Sequence, residues 1–276
     1  MNSGVTSPDD HIVDFANPPV AEVSFAVQFA EPVIQPTATL GDFWPRVKDK
    51  YSKIELQPPL PPLEESFEVP AQPTISFNIL GGTEASRYWL IDATDTELIQ
   101  VQPNRFGYNW RKEPPTEIYP RYQELRPRFE EALGTFLETV ESLGVHAVPT
   151  WCEISYINPI VLVAPGEPRP DLATILSRIA PQELSDLPRP FNSQFAERFQ
   201  LVRDDGKPYA RFHIEAFPMF AADNALGYNL TLVMRGQPKT RDLAGVLDFM
   251  DEGRRRIVQT FLDMTTDEMH ARWNLK

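Results

Sequence analysis

The sequence predicts an α+β fold in which two tandem βαβββα units form one curved, mainly antiparallel sheet, with two long helices packed on one face and the opposite face open. Three observations predict it: alternating apolar and polar residues at 20–29, long amphipathic stretches at 120–143 and 243–264, and an element order that occurs twice. Each half reads strand, short helix, three strands, long helix. A helix with one apolar stripe needs an apolar surface to cover, and a sheet with one apolar face provides it.

The first unit is predicted at residues 17–147, after a flexible arm at 1–16. Its first strand has one apolar face, formed by Ala21, Val23, Phe25, Val27 and Phe29. A short helix is predicted at 40–51, with Thr39 as its cap and Pro45 in its first turn. The prolines that follow lack backbone donors, so they predict a covering loop rather than central sheet or a partner-binding polyproline motif: Pro58, Pro59, Pro61 and Pro62.

Three strands and a long helix complete the first unit. The strands are predicted at 73–80, 87–93 and 97–111. Pro103 and Gly107 predict a bulge in the last of them. The helix at 120–143 has an apolar stripe at three- and four-residue steps, namely Tyr122, Leu125, Phe129, Leu133, Phe136, Val140 and Leu143. Within this stretch, Pro127 either kinks the helix or marks its true start.

The second unit, at 148–276, is predicted to repeat the same order. Its elements before the long helix are a strand at 148–163, a short helix at 171–180 capped by Asp171, and strands at 193–203, 208–217 and 226–236. The long helix at 243–264 contains Gly253, which costs about 1 kcal/mol relative to Ala in a helix, so close contact with the sheet is predicted there. A capping box formed by Thr265 and Glu268 predicts one further helical turn.

The composition predicts a cytoplasmic protein. Cys152 is the single cysteine, which excludes an internal disulfide and fits a reducing compartment. The N-terminus lacks the pattern of a signal peptide, and the longest apolar stretch, at 160–164, is too short to span a bilayer. The net charge is −13, and residues 1–147 contribute 11 bases and 22 acids, or −11. Because nucleic-acid affinity depends on phosphate neutralisation, this charge disfavours a nucleic-acid partner.

No catalytic residue, cofactor or metal site is predicted. The sequence has no glycine-rich phosphate loop and no GxGxxG turn, and its histidines lack metal-ligand spacing: His11, His146, His213 and His270. Cys152 lies in a predicted strand and is interpreted as a small buried hydrophobe rather than a nucleophile. His213 and Glu215 are interpreted as an exposed sheet pair, with a base and its orienting carboxylate as the alternative. The arginines at 254–256 are interpreted as a solvated helix face, with a partner contact as the alternative.

Candidate binding residues concentrate at the junction between a strand and the long helix of the first unit. Arginines beside aromatic side chains are typical of recognition hot spots. The planar guanidinium donates several hydrogen bonds, and the aromatic ring next to it provides a large, rigid contact surface. If the halves are pseudo-symmetric, residues of the second unit converge with them on the shared sheet. The candidate set is Gln100, Arg105, Asn109, Trp110, Arg111, Tyr119, Tyr156, Asn158 and Arg235. The alternative is that these side chains cap strand ends and satisfy buried backbone groups.

Seven segments cover nearly the whole chain in order: NPPVAEVSFAVQFA (17–30), RYWL (87–90), LIQVQPNRFGYNWRK (98–112), YPRYQELRPRFEEAL (119–133), ISYINPI (154–160), LTLVMRGQP (230–238) and IVQTFLDMTTDEMHARW (257–273). In these segments the chain resembles the uncharacterised "sporadically distributed" prokaryotic proteins. The resemblance implies no established activity, substrate or cofactor, and patchy occurrence suggests mobile-element or defence-associated genes. Pro159 stands where the family carries His, which weakens any catalytic role at that position. The element order also resembles saddle-shaped duplicated folds such as the TATA-binding protein, and helix-grip domains.

Three hypotheses about function follow from these observations. The leading hypothesis is a non-catalytic binding protein that engages a protein partner through its sheet surface or its acidic first half. The alternative is a small-ligand-binding protein or weak enzyme, with a pocket between sheet and helices and chemistry around Arg105, Arg111 and Tyr156. Nucleic-acid binding over the sheet is a third hypothesis, and it requires a basic concave face. The oligomeric state is not predicted.

Overall fold

The computed structural model describes residues 14–33, 36–68, 87–113, 118–163, 171–180, 186, 193–220 and 226–276. In this part of the chain, nine strands form one antiparallel open sheet and four α-helices accompany it, so the predicted α+β class is confirmed. The strands are β1 (Glu22–Phe29), β2 (Lys53–Gln57), β3 (Arg87–Ile91), β4 (Glu97–Gln102), β5 (Arg105–Arg111), β6 (Pro149–Val163), β7 (Phe195–Val202), β8 (Pro208–Phe220) and β9 (Leu226–Gly236). The helices are α1 (Pro36–Val47), α2 (Tyr122–Ser142), α3 (Leu243–Met264) and α4 (Asp267–Arg272).

The strands of the two halves meet at β1 and β6, in the middle of the sheet. The strand order is β2-β3-β4-β5-β1-β6-β9-β8-β7. Phe25 of β1 lies opposite Tyr108 of β5 on one side and opposite Ile154 of β6 on the other. Directly opposite residues point to the same face, so this register lines up the apolar side chains of neighbouring strands.

The long helices α2 and α3 cover that apolar side of the sheet, which we call the helix face. The rings of Phe25 and Phe129 stack at 4.9 Å, and those of Phe106 and Phe136 lie 5.1 Å apart. All four side chains are fully buried. Burying a phenylalanine contributes about 1.5–3 kcal/mol, so these rings hold α2 against β1 and β5. Over β6 and β9, α3 takes the corresponding place.

Gly253 sets the distance between α3 and the sheet. A Cβ atom at this position would lie 2.3 Å from Ile154 Cγ2, far inside van der Waals contact. The close contact predicted at this glycine is therefore confirmed.

Gly253→Ala is expected to lower the free energy of unfolding by about 1–3 kcal/mol, because overpacking against the β-branched Ile154 outweighs the helix propensity gained. The matched control is Gly134→Ala in α2, where nothing lies within 4 Å of the added Cβ. We expect that control to gain up to about 1 kcal/mol. Urea unfolding of both variants checks the pair, and a Gly253→Ala chain as stable as the natural one would contradict the close approach.

The first half differs from the predicted elements in its strands. The stretch at 97–111 is a hairpin of β4 and β5 joined by a turn at 103–104, with Gln102 opposite Arg105, so the predicted bulge at Pro103 is wrong. β2 was not predicted, because its residues are almost all exposed and show no alternation of burial. The predicted strand at 73–80 lies outside the described residues.

The helices of the first half also differ in their limits. α1 begins at Pro36, so Pro45 lies in its last turn rather than its first. α2 begins at Tyr122, so Pro127 lies inside the helix and does not mark its start. A proline inside a helix donates no hydrogen bond, and the packing of α2 on the sheet offsets that loss.

In the second half, two helical predictions are corrected. The predicted helix at 171–180 is a single 3₁₀ turn, Leu172–Thr174, although Asp171 caps it as expected by accepting the Ala173 N–H at 3.0 Å. The cap of α4 is Thr266 rather than Thr265, because the Thr266 side chain accepts the N–H of the residue three positions on. The strand predicted at 226–236 and the helix predicted at 243–264 have the observed limits.

Residues 58–68 lie across the side of the sheet opposite the helices; we call this segment the strap and that side the strap face. Gln102 accepts the Leu60 N–H at 3.0 Å and donates to the Leu60 carbonyl at 3.1 Å. Gln28 accepts the Leu63 N–H at 2.6 Å, and the Leu63 side chain is buried. The predicted covering loop is confirmed. The expectation of an open sheet face is wrong where the strap crosses it.

Candidate functional site

The nine candidate residues lie on opposite faces of the sheet. On the strap face are Gln100, Arg105, Asn109, Arg111 and Arg235; on the helix face are Trp110, Tyr156 and Asn158, with Tyr119 of the segment before α2. Adjacent residues of a strand point to opposite faces, as Asn109 and Trp110 do. The expected convergence on one surface does not occur. The grouping of Arg105, Arg111 and Tyr156 as one reactive centre is wrong for the same reason.

Gln100 and Asn109 belong to a hydrogen-bond chain on the strap face. Gln100 Nε2 donates to Asn109 Oδ1 at 2.7 Å, and Asn109 Nδ2 donates to Glu22 Oε1 at 2.6 Å. Arg87 and Trp89 both donate to Gln100 Oε1, at 2.5 and 3.1 Å. Burial raises the pKa of Glu22, and the bond from Asn109 opposes that rise. These groups satisfy one another, which favours a structural role for them.

Arg111 supports the turn between β3 and β4. Its Nε donates to the Asp95 carbonyl at 2.7 Å, and its guanidinium lies 5.8 Å from the centre of the Trp89 ring. Asp95 has a φ of 60°, a left-handed conformation that a non-glycine residue adopts at a cost. The contacts of Arg111 are therefore those of a side chain that stabilises a turn.

Arg105 and Arg235 hold carboxylates on the strap face. Arg235 Nε donates to Glu153 Oε2 at 2.5 Å, and Arg105 Nη2 lies 3.6 Å from Glu153 Oε1. Arg235 Nη1 also lies 3.2 Å from Glu65 Oε1 of the strap. Arg235 thus pairs with one carboxylate of the sheet, Glu153, and with one of the strap, Glu65. Arg105 and Arg235, which would contribute to a basic concave face, are therefore paired with acids.

Glu65 holds the strap on the sheet through ion pairs with side chains of β8 and β9. His213 Nε2 lies 2.8 Å from Glu65 Oε1, and Arg211 Nε lies 3.9 Å from Glu65 Oε2. Burial acts to raise the pKa of Glu65, but the hydrogen bond and charges of these neighbours outweigh it and the pKa is lowered. His213 therefore pairs with the strap. The predicted exposed pair with Glu215 is wrong, since Glu215 lies 3.8 Å from Arg198 instead.

A pocket opens on the helix face between α3, the start of α2, β6 and the segment at 14–20; we call it the helix-face pocket. The volume that the centres of water molecules can occupy in this pocket is about 190 Å³. By the same measure, a site for a single bound water needs roughly 10–15 Å³. Its polar lining is Asp14, Tyr119, Arg121, Gln123, Tyr156, Asn158 and Arg254, with Tyr122 beside them. Its apolar lining is Phe15, Pro18, Val20, Ile257, Val258 and Phe261. Three of the nine candidates, Tyr119, Tyr156 and Asn158, meet here.

Two phenols and a guanidinium form the polar end of the pocket. Tyr119 OH donates to Tyr156 OH at 3.2 Å, and the Arg254 guanidinium lies 5.5 Å from the centre of the Tyr122 ring. Burial raises the pKa of Tyr119 to about 12 and that of Tyr156 well above its usual range, and the positive charge of Arg254 opposes the rise at both. Both phenols are therefore neutral at pH 7 and can donate hydrogen bonds.

Arg121 of the pocket lining contacts the N-terminal segment. Its guanidinium donates to Asp14 Oδ1 and to the Phe15 carbonyl, each at 2.9 Å, and lies 5.5 Å from the centre of the Tyr119 ring. Its φ is 74°, which a residue with a Cβ adopts at a cost of order 1–3 kcal/mol. Backbone strain of this kind concentrates at functional sites, where the surrounding contacts maintain it.

Sequence reasoning missed Arg121 and Arg254 as pocket residues. The signal for Arg254 is its position three residues before Ile257 and seven before Phe261, which places it beside the buried stripe of α3. The interpretation of 254–256 as one solvated face is therefore wrong for Arg254. The prediction of a solvated face agrees with Arg255, which is exposed. Arg256 lies 2.8 Å from Glu252, one turn earlier in the same helix.

Comparisons with known proteins do not identify the chain. No protein-family model matches the sequence, and no curated protein matches it. Among the described residues, no three His, Cys, Asp or Glu side chains are grouped to hold a metal ion. No helix of the described part has the length and apolar character needed to cross a membrane. Cys152 is buried, and burial raises the pKa of its thiol, which agrees with its interpretation as a small hydrophobe.

Proposed function

We propose that the protein is a non-catalytic binding protein that holds a small molecule with one anionic group and an apolar body in the helix-face pocket. The presence of Arg254, Tyr119 and Tyr156 in the lining of one pocket carries the proposal. Tyr119 donates its hydroxyl hydrogen to Tyr156, and the Tyr156 hydroxyl and the Arg254 guanidinium are donors that suit a carboxylate. Ligand sites are commonly apolar pockets with a few converging polar groups, as here.

The apolar end of the pocket supports an amphipathic ligand. Phe261 lies seven residues beyond Arg254 in α3, which is about 10 Å along the helix axis. Phe15 packs edge-on against Phe261 at 5.5 Å, and Ile257 lies between the two ends. A ligand whose anionic group contacts Arg254 would therefore extend its apolar part along this wall.

The described lining favours binding over catalysis. A general base must lie within reach of the substrate and have a pKa near the working pH. Both phenols are held neutral, and the Asp14 carboxylate is engaged by Arg121 at 2.9 Å and by Lys276 at 2.7 Å. None of the described lining residues meets both conditions for a general base.

Arg254→Met is expected to abolish the stabilisation that a small carboxylate gives. We expect benzoate and 4-methylpentanoate to raise the melting temperature of the natural chain, since a ligand of the folded state at 100 times its Kd adds about 2.7 kcal/mol. The uncharged benzamide should give no such rise. Thermal unfolding with increasing ligand measures the effect.

The matched control is Arg255→Met, which removes the next, exposed arginine of the same helix. It should keep the full response to carboxylates, and Tyr156→Phe should weaken the response by losing one donor. Equal responses of the Arg254→Met and Arg255→Met chains, or no response to any carboxylate at millimolar concentration, would contradict the proposal.

We also propose that residues 17–147 and 148–276 are two copies of one βαβββα unit. In each half the first strand, β1 or β6, lies at the centre of the sheet. In the second half β7-β8-β9 run inward from the edge, and in the first half β3-β4-β5 run inward behind one additional edge strand, β2; a long helix follows each set. The halves also differ in the connection after the first strand, which forms α1 in the first half and a 3₁₀ turn in the second. In a saddle-shaped fold the sheet face opposite the helices is open. Here the strap crosses that face, so we favour the resemblance to helix-grip domains over the resemblance to a saddle.

A protein partner on the sheet surface, the leading hypothesis from the sequence, would have to displace the strap or bind beside it. The resemblance to the sporadically distributed prokaryotic family stays a prediction, and it implies no ligand that conflicts with the helix-face pocket.

A further inference from the structure

A second concavity lies over β7 and β8, on the far side of α3 from the helix-face pocket; we call it the edge groove. The volume that the centres of water molecules can occupy in this groove is about 600 Å³. Its apolar lining is Phe199, Leu201, Phe212, Ile214 and Met264, and its polar lining is Arg178, Arg255, Arg256, Gln259, Thr260 and Asp263. The groove is therefore an apolar channel with arginines along its border.

In the first half a second helix lies beside the long helix on the helix face. There α1 packs beside α2, with the Phe43 ring 5.4 Å from Phe136 and 6.4 Å from Phe106 of β5. In the second half the chain after β6 forms the 3₁₀ turn instead, and this turn docks at the end of α3, where Ser177 N–H donates to the Met264 carbonyl at 2.9 Å. Among the described residues, no helix covers β7 and β8 as α1 covers β5.

The groove combines exposed apolar surface with positive charge. Phe199 is 39% exposed although its side chain shares the helix face with the buried Phe212. Of the three lining arginines, Arg178 lies 3.0 Å from Glu197 and Arg256 lies 2.8 Å from Glu252. Arg255 is exposed and forms no ion pair with a described residue. Electrostatic complementarity therefore favours an occupant with an acidic residue beside Arg255.

We propose that the edge groove binds an amphipathic helix of a partner protein, with the apolar side of that helix on Phe199 and Phe212 and its acidic residues beside Arg255. Helix-in-groove recognition uses apolar anchors at i, i+3 or i+4 and i+7. The helix α1, with 12 residues, shows the length that such a site accommodates in this fold. The proposal does not depend on a ligand in the helix-face pocket.

A display library of helical peptides of about 16 residues, randomised on all surfaces, tests the proposal directly. Selection uses the natural chain of residues 1–276, with counter-selection on the Phe199→Ser variant. We expect enriched peptides to carry apolar residues at helical spacing flanked by Asp and Glu, and to bind with micromolar Kd by fluorescence anisotropy. Arg255→Glu should weaken the best peptide at least about tenfold.

The matched control is Phe217→Ser. Phe217 is 41% exposed, like Phe199, but lies on the strap face of β8, so its loss should leave the Kd unchanged. No enrichment over the Phe199→Ser chain, enrichment of basic peptides, or equal binding by the Phe199→Ser and natural chains would each overturn the proposal. Self-association of the chain that Phe199→Ser abolishes would also overturn it, because the occupant would then be a second copy.

Discussion

Glu97→Ala is expected to lower the free energy of unfolding by about 2–4 kcal/mol, one of the two largest losses among the changes considered. Glu97 lies on the buried helix face, where its carboxylate contacts Arg128 at 2.5 Å, Lys50 at 2.7 Å and Tyr108 OH at 2.9 Å. The change leaves the hydroxyl of the buried Tyr108 without its acceptor, and it removes an ion-pair partner from Lys50 and Arg128, whose side chains are 47% and 35% exposed. Urea unfolding at pH 7 measures the difference.

Glu124→Ala is the matched control for Glu97, because Glu124 contacts the same Arg128 at 2.8 Å but its side chain is 60% exposed. Exposed ion pairs contribute little, so a loss within about 0.5 kcal/mol is expected. Similar losses from the two variants would show that the burial of Glu97 does not matter.

The contribution of Glu97 should also depend on pH. Burial acts to raise its pKa, but the bonds and charges of Lys50, Tyr108 and Arg128 outweigh it, and the pKa is lowered below 4.5. A carboxylate whose pKa is lower in the folded state stabilises the protein above the pKa of the unfolded chain, and that stability is lost as the pH falls through the folded value. The gap in stability between the natural chain and Glu97→Ala should therefore narrow below about pH 4.5.

Glu65→Ala is expected to release the strap and to cost about 2–4 kcal/mol. It removes the carboxylate that faces Arg211, His213 and Arg235, and leaves three basic groups on a partly buried surface without that partner. Hydrogen exchange at the N–H groups of Leu60 and Leu63 should quicken, because these bonds to the sheet glutamines depend on the strap staying in place.

Glu64→Ala is the control for this change, since Glu64 is exposed and only its 3.3 Å contact with Gln28 would be lost. It should leave the exchange rates of Leu60 and Leu63 nearly unchanged. Unaltered exchange in Glu65→Ala would mean that the glutamines alone hold the strap. Because the pKa of Glu65 is lowered, its contribution is present above pH 4.5 and should be lost as the pH falls below it.

The sequence predicted those elements whose periodicity is strong. β1 and β9 alternate cleanly, and α3 has an apolar stripe that runs its whole length, so their limits were found within about two residues. β2 was missed because it lies at the sheet edge with both faces exposed, where no alternation is required. The hairpin at 97–111 was missed because Pro103 fits both a bulge and a turn.

The site was harder to predict than the fold. Gln28 and Gln102 bind the strap across 35 and 42 residues of chain, and pairings at such separations leave no local pattern. Asn109 and Trp110 are neighbours in the sequence and belong to one candidate set. Neighbouring residues of a strand point to opposite faces, so the structure separates them. Arg254 was missed because it stands in a run of three arginines that was interpreted as one exposed face. Its spacing from Phe261 nevertheless indicates a position beside the buried stripe of α3.

We propose that the ligand site lies on the helix face, between α3 and β6, and not on the face that the strap crosses. An NMR titration of the natural chain with benzoate tests it most directly, with the arginine Nε–H and tyrosine ring signals as reporters. The account predicts shifts at Arg254, Tyr119 and Tyr156 and none at Arg105 or Arg235. Shifts confined to Arg105, Arg235 and the strap would contradict it.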